Sequence, residues 1–142
     1  MDVPEYVSKD EVKRVCRELG IRDWTQLSGS EVQLEEARII QGEIGAEATQ
    51  IPLEEFRLGL QVELEHGLEF VDANVTNNHP LLTGKIVLAH LKEMLDYYLR
   101  LEVAELEGDL FKAYKRGDPK KLAREYEKLV AARAALSERE SE

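Results

Sequence analysis

One cysteine is all the 142-residue chain contains, and Cys16 alone cannot close an intrachain disulfide, which excludes a disulfide-dense secreted scaffold. No run of about 18 apolar residues is present, so a membrane-spanning helix is not expected. The start, Met1-Asp2-Val3-Pro4-Glu5, lacks the basic and then apolar segments of a signal peptide, and a cytoplasmic location is the expectation. Positive charge is in deficit, with 19 Lys and Arg against 29 Asp and Glu and a net charge of -10. Such a surface repels phosphate backbones and anionic lipid, so neither nucleic acid nor membrane is expected as a principal partner. A glycine-rich phosphate loop, a nucleophile elbow and paired-cysteine metal motifs are also missing, and no nucleophile–base spacing supports a generic hydrolase.

What the chain does have is 43% apolar residues, enough for a core in one domain of about 100–200 residues. Its periodicity is helical, and no alternating strand pattern competes. Ser8 and Glu11 have capping-box spacing ahead of Val12, Val15, Cys16 and Leu19, which predicts a first helix near 9–19 stopping at Gly20. Ser30 and Gln33 repeat that spacing and predict a second helix near 31–44. Pro52 in the first turn, followed by Glu54 and Glu55, predicts a third over 52–69. The stretch Asp72–Pro80 reads as loop, with His79 a solvated loop residue. Its Asp72-x-Asn74-x-Thr76-Asn77 opening lacks the glycine and terminal glutamate of a calcium loop, so hydrogen bonds within the loop are expected instead. Thr83 is placed as the cap of a long fourth helix reaching at least Leu106, and Asp118-Pro119 opens a fifth near 119–137. The expected fold is all-α, a small bundle of about five helices built around an antiparallel hairpin of 52–69 with 83–107. One helical domain over 1–110 and a C-terminal amphipathic extension over 111–142 complete that expectation.

Four segments stand out as motifs: Val62-Glu63-Leu64-Glu65-His66-Gly67, Asn74-Val75-Thr76-Asn77, Thr83-Gly84-Lys85-Ile86-Val87-Leu88-Ala89-His90-Leu91-Lys92-Glu93, and Asp96-Tyr97-Tyr98. In this pattern the chain resembles, over residues 35–107, an uncharacterised family of bacterial and phage helical domains. His79 stands where that family has an acidic residue, and Leu95 where proline is common. The resemblance implies a domain of unknown function and brings no activity with it.

The chemistry-bearing residues fall in two of those motifs. Glu63 and His66 are three apart on the third helix, and His90 and Glu93 are three apart on the fourth, a spacing that puts each pair on one face. Antiparallel packing would set a Glu-x-x-His against a His-x-x-Glu, a donor set suited to iron, manganese or zinc. Transition-metal binding through Glu63, His66, His90 and Glu93 is therefore one expectation, with Tyr97, seven residues past His90, close behind the ligands. Helical wheels put Glu63 and His90 within the apolar arcs and His66 and Glu93 towards their edges. The alternative follows from that: Glu63 and His90 form a buried structural pair in a non-catalytic interaction or assembly protein. A homo-oligomer or protein partner is expected either way. The basic cluster Lys112, Lys115, Arg116, Lys120, Lys121 and Arg124 reads as a solvated turn, or as a dock for the acidic surface of a second subunit.

Overall fold

Local capping chemistry sets most of the helix starts in the computed structural model, which describes residues 1–142. Ser8 Oγ accepts from the Glu11 N–H to open α1 (Lys9–Leu19), and Gly20, at φ 69°, closes it. The second helix, α2 (Leu34–Ile44), starts three residues later than the Ser30 spacing predicts. Its capping box is Gln33 with Glu36, whose carboxylate accepts from the Gln33 N–H. Val32, just upstream, is buried and gives its own N–H to Gln61 Oε1, which keeps this segment extended. Next come α3 (Leu53–Glu69), α4 (Pro80–Glu93), α5 (Tyr97–Arg116) and α6 (Pro119–Glu140). The fold is all-α, six α-helices and three single 3-10 turns that together cover 73% of the chain with no strands, and no helix is long and apolar enough to cross a membrane.

The expected long fourth helix differs at both ends. It begins at Pro80, a residue suited to the first helical position, and Thr83 lies inside it, its hydroxyl donating to His79 O. It then stops at Glu93, and α5 restarts after Met94, Leu95 and Asp96. At the break Asp96 has φ -93° and ψ 15°, the sparsely allowed bridge region. Tyr97 N–H turns back to Met94 O, while Arg100 forks onto the Asp96 carboxylate at 3.0 and 2.6 Å.

Two compact units result, Met1–Glu93 and Met94–Glu142. In the first, α2, α3 and α4 pack against one another and α1 lies on α4. Ile40, Phe56, Leu60, Leu64 and Val87 fill its centre, with Val12, Cys16 and Trp24 buried beside them. A Cβ at Gly84 would come 2.8 Å from Ile40 Cγ2, so the missing side chain is what lets α4 approach α2 so closely. In the second unit α5 and α6 form an antiparallel hairpin. Gly117 ends α5 in the left-handed conformation, at φ 67°, and Asp118 Oδ1 accepts from Lys121 N–H to cap α6. Tyr98, Ala113, Leu129 and Ala132 are its buried apolar residues.

Candidate functional site at the α3–α4 hairpin

Packing of α3 on α4 brings together one acid and one imidazole. His90 Nδ1 lies 3.2 Å from Glu63 Oε1, with side chains 31% and 16% exposed. Their neighbours on the same helices, Leu60 and Leu64 on α3 and Val87 and Leu91 on α4, are buried, so the pair sits at the edge of the apolar seam. His66 is half-buried near the end of α3, where its carbonyl accepts from Phe70 N–H. Together with Glu63 it lines a cavity of about 310 Å³ between α3, the 70–76 loop and the start of α4, with Thr76, Thr83 and Ile86 on the far side.

The remaining two expected residues fall at helix ends. Glu93 is exposed as the last residue of α4. Tyr97 begins α5, so the seven-residue spacing from His90 no longer runs along one helix; its ring meets Tyr98 edge-on, with centroids 5.1 Å apart. No group of three or more His, Cys, Asp or Glu side chains is gathered that could hold a metal ion.

The asparagine loop beside the cavity is pinned by its own amides. Asn74 Nδ2 donates to Gly67 O at 3.0 Å and to Asn78 Oδ1 at 2.7 Å, and Thr76 Oγ1 donates to Asn74 Oδ1 at 3.2 Å. Asn77 reaches the N-terminal segment, donating to Glu5 Oε1 and Val7 O, both at 2.6 Å. Asn77 and Asn78 have φ of 48° and 61°, a conformation that asparagine tolerates better than most residues. A side chain at Gly67 would collide with Asn78 Oδ1 and Asn74 Nδ2, which explains the glycine after His66.

Two features escaped the sequence reading. His79 is buried rather than solvated, and its Nδ1 accepts from the N–H groups of Leu81 and Leu82 at 3.2 and 3.4 Å, capping α4. Burial pushes this imidazole below its usual range, against the pull of Glu11. Pro80 was the available signal, since the residue before a helix-opening proline is the cap. The other feature is Glu36, 3% exposed and forked by Arg22 at 2.9 and 2.7 Å. Burial acts to raise its carboxyl, but Arg22 and the N–H groups of Gln33 and Arg22 outweigh it and hold the group below the usual range. Cys16 is buried as well, and that burial pushes its thiol up.

No curated protein and no solved structure shows a significant match to the chain. A family model described as a protein of unknown function (DUF5661) matches residues 12–107, from α1 into α5, a longer stretch than the motifs span. On that match, which leaves all of α6 outside, the chain belongs to the DUF5661 family.

Proposed function

We propose that the chain is a non-catalytic helical interaction or assembly protein in which Glu63 and His90 form a structural pair. The observation that supports this is the outer face of the α5–α6 hairpin. Phe111, Tyr114, Tyr126 and Val130 are 61, 69, 57 and 50% exposed. With Leu110, Pro119 and Leu122 the three aromatic residues line one open groove of about 570 Å³. Scattered apolar residues are ordinary on a surface, but a contiguous patch of large ones marks a contact site. A cytoplasmic setting goes with this reading, since the one thiol, Cys16, packs inside the protein.

A photo-crosslinking amino acid placed at Phe111 or Tyr126 in the full chain, expressed in cells, tests the reading. A discrete adduct from both positions, and none from exposed Glu127, is the expected result. Absence of any adduct at the two groove positions would overturn it.

A second reading is binding of iron, manganese or zinc through Glu63, His66, His90 and Glu93. It is favoured by one observation: Glu63 shares its cavity with His66 while touching His90. On this reading, protein exposed to each ion and then dialysed keeps the ion, and His66→Ala loses it. On the structural-pair reading none is kept.

A further inference from the structure

We infer that the groove on the α5–α6 hairpin is covered by a second copy of this chain, packed antiparallel so that the turn end of each hairpin lies on the open end of the other. The inference rests on the interaction reading above and names its partner.

Charge is the first argument. Residues 111–124, around the turn, carry six basic side chains (Lys112, Lys115, Arg116, Lys120, Lys121 and Arg124) against the single acid Asp118. The open end, residues 94–110 and 125–142, carries ten acids against four bases. Each hairpin is thus a strongly polarised rod, net positive at one end and net negative at the other. A second copy stacked in the same direction would set cations on cations and acids on acids. Turned end for end, it sets opposite charges together at both ends, which steers encounter and suppresses the wrong register.

Side-chain size runs in the same sense. The groove residues Leu110, Phe111, Tyr114, Leu122 and Tyr126 are large and sit near the turn. One to two helical turns further along each stripe come Val103 and Ala104 on α5 and Val130 and Ala134 on α6, smaller residues over which bulky ones can seat. Between the two halves Arg133 crosses from α6 to Glu107 of α5 at 2.6 Å. A two-fold axis near that ion pair lays the aromatic half of each copy on the small-residue half of the other. Such an interface is self-complementary and closed, and four helices result, a stable bundle architecture.

The area is adequate too. Helices of 20 and 22 residues are about 30 Å long, and two of them side by side are about 20 Å wide. The footprint is then roughly 600 Å², near the roughly 800 Å² per partner of a stable interface.

Sedimentation of the full chain over a concentration series reads the outcome. A dimer is expected, and raising NaCl from about 0.05 to 0.5 M weakens it, because screening removes an attraction. A dimer that tightens with salt overturns the antiparallel register. Tyr126→Glu and, separately, Phe111→Glu raise the dissociation midpoint about hundredfold or more, since each sets an unpaired carboxylate against the partner's acidic end; circular dichroism checks that both variants keep their helix content. A dimer indifferent to both substitutions overturns the proposed face. A monomer at roughly 0.1 mM whose groove crosslinks to a different protein overturns self-association and leaves the interaction reading standing. A monomer with no groove adduct overturns both.

Discussion

Glu36 is nearly inaccessible, yet both its oxygens are occupied, by the Arg22 guanidinium and by the N–H groups of Arg22 and Gln33. Removing one partner strands a buried charge, so Arg22→Ala is expected to lower unfolding stability by about 3 kcal/mol. Urea denaturation measures this, and Arg22→Lys restores only part of it, because an ammonium cannot fork. The exposed Arg14–Glu11 pair contributes far less for a similar geometry. His79 couples stability to pH. Its folded pKa is below the ordinary 6.5, so the unfolded chain takes up the proton first. Its contribution is therefore complete above about 6.5, declines as pH falls below it and is lost once pH passes the folded value. Protonated Nδ1 also cannot accept from Leu81 and Leu82. His79→Asn, a capping residue that does not titrate, is expected to flatten the melting temperature between pH 7 and 5 relative to wild type. Neither contact was legible from spacing alone: Arg22 and Glu36 are brought together by the chain between α1 and α2, and His79 looks like any other loop histidine until its burial is known.

At the scale of the elements, periodicity and caps were enough for α1, α3 and α6. Asp118-Pro119 reads as an N-cap and first helical residue, and Asp118 Oδ1 does accept from Lys121 N–H at 2.9 Å. Asp118→Ala is accordingly expected to cost about 1 kcal/mol, readable as a lower melting temperature. The α4–α5 break was hidden for the opposite reason. Met94 and Leu95 are good helix formers and the apolar stripe continues through them, so nothing local announces a stop. The interruption lies in the backbone of Asp96 and in the hold Arg100 has on its carboxylate. Similarly, Ser30 had the right spacing but the cap fell to Gln33, because Glu36 could bond there and Val32 was needed in the core.

Across the whole molecule, the balance between the two functional readings is a question of linkage. A metal bound only by the folded chain would raise its melting temperature. With Glu63 and His90 paired directly, chelation with EDTA is expected to leave the melting temperature of purified protein unchanged, as followed by calorimetry; a fall after chelation would restore the metal reading. Charge is also distributed at this scale. The overall -10 conceals a basic patch confined to the hairpin turn, and an average taken over the chain says nothing of that separation.

The sequence by itself determined the all-helical class, the caps at Ser8 and Asp118 and the loop character of the middle of 72–80, because helical period, caps and turn residues act over a few positions. Only the tertiary structure decided which of the four candidate side chains meet. Glu63 reaches His90 because α3 and α4 settle in one particular rotation and register, and a single residue of slip turns a helix by about 100°. Glu93 is left at an exposed helix end because α4 stops there, at a break held by Tyr97 N–H on Met94 O and by Arg100 on Asp96 that neither the apolar period nor a cap spacing announces.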